Sequence, residues 1–186
     1  MGEEIILLAR AWRVATERHV DHRRKGERAE PYVNHLAEVA DLVAEATHGT
    51  DPCLVAAAVL HDTIEDTGIT HAELEEQFGS DVADLVVEVT DDKALTSAER
   101  KQLQVDHAGR SSARAKLLKL ADKTSNLRSI ANSPPTVWSV DRKHQYLKWA
   151  QEVAVGLRVG NVWLEGQFDE AARHLDETLA TSAGSK

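Results

Sequence analysis

Along nearly the whole chain, apolar residues recur at intervals of three and four, and there is no sustained apolar–polar alternation bounded by turn residues. That periodicity predicts an all-α fold. A first helix is expected from Glu3 to His22, burying Ile6, Leu7, Ala11, Val14 and Ala15, with Trp12 on the same face. A second should run from Val33 to just before Gly49, because Leu36, Val39, Ala40 and Val43 form one stripe and glycine suits a left-handed stop. His35 lies beside that stripe. Asp51-Pro52 reads as an N-cap followed by proline in the first helical position, opening a third helix that should reach about Thr63. It is apolar nearly all round, as a central helix would be.

Thr70 with Glu73, and Thr96 with Glu99, have the spacing of capping boxes, so each starts a further helix. Ser80 is expected to cap another through Val89, set off from its predecessor by Phe78-Gly79. A long helix from Ala113 to Ala131 places Leu117, Leu120, Ala121, Thr124 and Leu127 on one face, and Pro134-Pro135 then breaks the chain. The last two helices are expected from Ser139, carrying Leu147, Ala150, Ala154 and Leu157, and from Asp169 to Leu179. Residues 181–186 read as a mobile tail. The expectation is a helical bundle of about eight to ten helices, with residues 1–180 forming one domain, since no repeat or linker divides the chain.

Composition narrows the possible functions. Hydrophobic residues make up 42% and charged residues 28%, the balance of a packed globular protein. A net charge of −9 argues against general nucleic-acid binding, which needs a basic surface to release counterions. The basic cluster Arg23-Arg24-Lys25 therefore stands out in a chain whose overall field repels anions. Cys53, the lone cysteine, lies in an apolar run and reads as a buried hydrophobe, which suits a reducing cytoplasm. No stretch reaches the roughly 18 apolar residues of a membrane span, and no export signal is evident. A cytoplasmic protein without membrane contact is expected.

The chemistry gathers at three places. His61-Asp62 and Glu65-Asp66 follow eight apolar residues that core packing alone would not interrupt in this way. His61 and Glu65 are four apart, as are Asp62 and Asp66, so four titratable groups converge if the helical turn continues. Asp122 and Asn126, also four apart, mark the polar edge of an otherwise apolar helix. His35 is the third element; alone, a histidine on such a helix is more often structural than a ligand.

Taken together, His35, His61-Asp62 and Asp122 resemble the H…HD…D signature of the HD-domain phosphohydrolases. More narrowly, Arg24-Lys25 before Tyr32-Val33-Asn34-His35, the run Leu60 to Thr67, and the run Leu118 to Lys123 with Asn126-Leu127-Arg128 are similar to the hydrolase domain of the RelA/SpoT alarmone enzymes, particularly the small stand-alone metazoan type. The likeness extends from about residue 5 to residue 158. It implies manganese bound by His35, His61, Asp62 and Asp122, catalysis by Glu65 and Asp66, and removal of the 3′-pyrophosphate from guanosine tetraphosphate or pentaphosphate (ppGpp or pppGpp). It also implies that Arg24, Lys25, Arg142 and Tyr146 contact this guanine-nucleotide substrate, with Asn126 orienting substrate or a ligand. Leu36 follows His35 where many relatives have proline, and the Thr96-Ser97 region lacks a lysine that some relatives carry.

The chemistry is coherent on its own terms. Two imidazoles and two carboxylates suit one Mn²⁺, Fe²⁺ or Zn²⁺, leaving room in an octahedral shell for water and phosphate. Such a cation lowers the pKa of its water, while Glu65 or Asp66 positions that water or takes its proton. Arg24 can stack on a purine or grip phosphate with its fork, and Lys25 adds a point charge. The alternatives are another HD-type nucleotide phosphatase, such as a nucleotidase or an NADPH phosphatase, and a non-catalytic nucleotide sensor. The remaining histidines read as surface or structural, although His71 or His107 could support a second metal. The sequence leaves the oligomeric state open.

Overall fold

The computed structural model describes residues 2–183, and these form helices joined by short loops, with no strand among them. In chain order they are α1 (Gly2–Arg18), α2 (Val33–Ala46), α3 (Pro52–Leu60), α4 (Thr63–Thr67) and α5 (His71–Phe78), followed by α6 (Ser80–Val89), α7 (Ser97–Ala108), α8 (Ala113–Asn132), α9 (Val140–Leu157) and α10 (Val162–Ala183). The bundle is organised around α3. Its residues Leu54 and Ala56 to Leu60 are fully buried, and α1, α2 and α6 pack on it. Three successive alanines, Ala56 to Ala58, keep its surface low enough for neighbours to approach from several sides. Helix α8 lies across α2 and is covered by α9 and α10, with Leu118, Leu120, Ala121 and Leu127 buried beneath them.

Local signals account for most of the helix starts. Asp51 accepts from the Leu54 amide at 3.0 Å, and both capping boxes close, with Thr70 and Thr96 accepting from Glu73 and Glu99 amides. Ser112 and Ser139 cap α8 and α9 in the same way.

Several boundaries depart from expectation. Helix α1 stops at Arg18 rather than His22, because the chain turns to pair Arg23 with Pro31 across a short loop. Ile6, expected inside, is 51% exposed. Helix α3 ends at Leu60 rather than Thr63, and α4 continues after a two-residue turn. Ser80 does not cap α6: Gly79 takes that position, with the extended positive φ of 83° that favours glycine. The last helix begins at Val162, not Asp169, because Asn161 accepts from the Leu164 amide at 3.0 Å. It also runs through Ala183, so Thr181 to Ala183 are helical rather than a tail, and residues 184–186 lie outside the described residues. Cys53 is only partly buried.

Candidate metal centre and substrate pocket

The α3–α4 junction puts adjacent residues to different uses. Asp62 has φ −96° and ψ −1°, a slight unwinding, yet the Asp66 amide still reaches the Asp62 carbonyl at 2.8 Å. The Thr63 hydroxyl donates to the Leu60 carbonyl at 2.6 Å and pins the turn. His61 and Asp62 therefore project together toward the start of α2 and the middle of α8.

Four donor atoms meet there. His61 Nε2 lies 3.0 Å from Asp62 Oδ2 and 3.9 Å from Asp122 Oδ1. His35 Nε2 lies 3.6 Å and 3.3 Å from the same two oxygens. Among the described residues, His35, His61 and Asp62 form the one group whose spacing suits a metal ion, and Asp122 adds its oxygen to both imidazoles. His61 Nε2 is buried and, although 3.0 Å from Asp62 Oδ2, is not in hydrogen-bonding geometry with any partner. A buried, unpaired nitrogen is costly unless something satisfies it, and a divalent cation between two imidazoles and two carboxylates would do so.

The groups behind these four side chains fix their orientation. The Ser125 hydroxyl donates to Glu38 at 2.7 Å, so at 2.9 Å it can only accept from His35 Nδ1. His61 Nδ1 faces the Ala58 carbonyl at 2.8 Å and must donate to it. Both rings thereby carry a proton on Nδ1 and turn Nε2 inward, the nitrogen left to meet a metal. Arg128 continues the relay, donating to Glu38 at 3.0 Å and to Gln167 of α10 at 2.6 Å. The Tyr32 hydroxyl donates to Asp62 Oδ2 at 2.6 Å, and its ring stacks on buried His19. Asn126 donates to Asp122 Oδ1 at 2.6 Å and accepts from Arg24 at 2.9 Å.

The protein's field matches this arrangement. Burial pushes His35 toward its neutral form, although Asp122 works against the shift. Burial opposes charge on His61 too, but Asp62 and Asp122 overcome it and hold its pKa up at about 9. Burial also disfavours ionised Asp62 and Asp122. The imidazoles, together with Lys123 beside Asp122, nonetheless hold both acids below the usual carboxylate range. This field favours a proton on His61 Nε2, which a bound cation would have to displace.

The acid pair follows on α4. Glu65 is raised by burial and by the nearby Asp62 and Asp91 carboxylates, and its Oε1 lies 3.6 Å from Arg100. Asp66 accepts from Lys93 at 2.9 Å.

Beside the cluster a pocket of about 220 Å³ is lined by Arg24, Lys25, Tyr32, Asn126, Trp138 and Tyr146, among others. The Arg24 guanidinium lies 5.7 Å from the Tyr32 ring centre, and that of Arg142 lies 4.5 Å from the centre of Trp138. Tyr146 is held against Trp138 and Trp149, and burial pushes its hydroxyl up to about 12. Gly26 packs so closely on Ser133 that no Cβ would fit, and Glu27 and Arg28 bond the same turn, which fixes the loop carrying Arg24 and Lys25.

The family model for the HD domain matches residues 11–150, three quarters of the chain and every residue of the cluster. The chain belongs to the HD-domain family. Among its relatives, the guanosine-3′,5′-bis(diphosphate) 3′-pyrophosphohydrolase MESH1 of Xenopus tropicalis is 46% identical over 91% of this chain and 94% of its own length. The human MESH1 is 45% identical over 94% of this chain and 96% of its own. A solved metazoan SpoT orthologue, described as hydrolysing ppGpp and acting in starvation responses, matches with a TM-score of 0.86. It is 43% identical and covers 90% of this chain and 94% of its own.

In this HD domain, the structure brings His35, His61, Asp62 and Asp122 together, and it places Arg24, Lys25, Asn126 and Tyr146 around one adjoining pocket. Arg142 stands at that pocket's wall through Trp138. His71 does not join the cluster; it pairs with Asp84 at 2.7 Å on the surface. Sequence reasoning missed Ser125, Glu38, Arg100, Lys123 and Trp138. The acid on α2 and the serine on α8 are 87 residues apart, so no local pattern joins them.

Proposed function

We propose that this chain removes the 3′-pyrophosphate of ppGpp and pppGpp, giving GDP or GTP and pyrophosphate, with one Mn²⁺ held by His35, His61, Asp62 and Asp122. The observation that carries the reading is the 46% identity with a relative of that activity, spanning nearly the full length of both chains. Manganese suits the all-nitrogen-and-oxygen donor set; Fe²⁺ and Zn²⁺ accept the same donors.

When bound, the cation supplies Lewis acidity, lowering the pKa of water and screening charge on the phosphoryl oxygens. The protein supplies the rest. Glu65, whose raised pKa favours proton acceptance, takes a proton from the attacking water, and Asp66, fixed by Lys93, orients that water. The water oxygen bonds to the phosphorus attached to O3′ and the O3′–P bond breaks. Pyrophosphate keeps the new oxygen, and O3′ regains a proton. Arg24 is steadied by Asn126 beside Tyr32, where its flat guanidinium can meet the purine. Lys25, Arg142 and Tyr146 bind the phosphates and ribose. Because Asn126 also donates to Asp122, substrate placement and metal placement share one amide.

The test is product analysis with ppGpp, NADPH and nucleoside monophosphates offered to the purified protein with and without Mn²⁺. Manganese-dependent GDP and pyrophosphate are expected. Release of free phosphate from NADPH or a monophosphate, with ppGpp untouched, would retain the HD chemistry and overturn the substrate. Metal binding without any turnover would leave a sensor.

A further inference from the structure

Lys123 is only 5% exposed, a rare position for an ammonium unless it is paired. Its Nζ donates to Asp122 Oδ2 at 2.9 Å and lies 4.9 Å from the centre of the Trp149 ring. Trp149 is fixed in turn by its indole N–H, which donates to the Lys101 carbonyl at 3.0 Å. Asp122 therefore has its two oxygens in different company: Oδ1 faces both imidazoles, and Oδ2 faces a buried positive charge.

A simple salt bridge for stability does not explain this placement. Burying an ammonium costs more than an apolar side chain of similar size, and the carboxylate it neutralises is one that a cation also needs. The partners that usually stand behind metal ligands are neutral or anionic and increase the ligand's donor strength; a cation does the opposite. From this we infer that Lys123 is a positioning residue that keeps Asp122 Oδ2 away from the metal and offsets part of its charge. Metal affinity is thereby held below what the four ligands alone would give. A cation so held is more electron-poor, hence a stronger Lewis acid. This inference rests on the metal site proposed above.

Lys123→Met removes both the charge and the hydrogen bond, and Lys123→Gln removes the charge while keeping a donor. Titration calorimetry with Mn²⁺ on chelator-stripped protein, at one alkaline pH, is expected to show both variants binding at least about tenfold more tightly than wild type, as loss of a nearby positive charge requires. At saturating Mn²⁺ their kcat should fall with little change in KM. Affinity equal to or weaker than wild type in folded variants overturns the inference. Should neither variant fold, the manganese-loaded wild-type crystal structure decides: Lys123 still bonded to Oδ2 supports it, and both Asp122 oxygens on the metal with Lys123 displaced refutes it. Wild-type protein that binds no Mn²⁺ would instead refute the metal site itself.

Discussion

Replacing Ser125 with alanine tests how much the metal depends on a residue that never touches it. The hydroxyl accepts from His35 Nδ1 at 2.9 Å and donates to Glu38 at 2.7 Å, and Ser125 and His35 are 1% and 3% exposed. Without the hydroxyl a buried N–H loses its acceptor, at a cost of about 1–3 kcal/mol, or a factor of about 5–150. The ring is also freed to carry its proton on Nε2, the atom turned toward Asp62 and Asp122. Loss of a partner behind a metal ligand typically weakens metal binding about 10–100-fold, which overlaps that range. Calorimetric titration of chelator-stripped Ser125→Ala with Mn²⁺ should show a Kd raised by that factor. Because Ser125 does not line the pocket, kcat at saturating Mn²⁺ should return close to wild type, and Ser125→Thr should restore binding. A folded Ser125→Ala protein with unchanged Mn²⁺ affinity would refute the relay.

Glu65→Gln should bind Mn²⁺ normally while kcat falls about 10²–10⁴-fold, the usual contribution of a general base; normal turnover would remove Glu65 from that role. Mn²⁺ affinity should fall about tenfold per unit as pH drops below about 9, because the cation must displace the His61 proton, and calorimetry in buffers of different ionisation enthalpy should register that proton's release. The matching stability change has the opposite sense: in metal-free protein the charged His61 contributes fully below its ordinary value of 6.5, and that contribution disappears as pH rises through about 9. Gly26→Ala should raise KM by a larger factor than it changes Mn²⁺ affinity, since the added Cβ meets Ser133 and displaces the loop carrying Arg24 and Lys25, whereas the four donor side chains lie on other elements. Equal KM values would show that the loop is placed by other contacts.

What the sequence made legible was whatever local chemistry encodes. Asp51-Pro52 and the two threonine–glutamate boxes announce helix starts because an N-cap needs only residues within one turn. His61-Asp62 stood out because polar residues ended an apolar run, and the structure keeps them at that end despite the break in the helix. The start of α10 was missed because exposed Val162 and half-exposed Trp163 blur its apolar stripe, leaving Asn161 as the faint signal. Ser125, Glu38 and Lys123 were not legible as site residues, because their roles come from α8 crossing α2 and meeting α9. Arg100 lay beside a recognised capping box, but only folding brings it to Glu65.

The most direct test of the central claim is to strip the protein with a chelator, restore Mn²⁺ in steps, and follow bound metal and ppGpp turnover in the same samples. The account predicts no turnover without metal and a rise in activity that tracks occupancy and saturates at one ion per chain. Full turnover in the stripped protein, or a chain saturated with Mn²⁺ that leaves ppGpp intact, would contradict it.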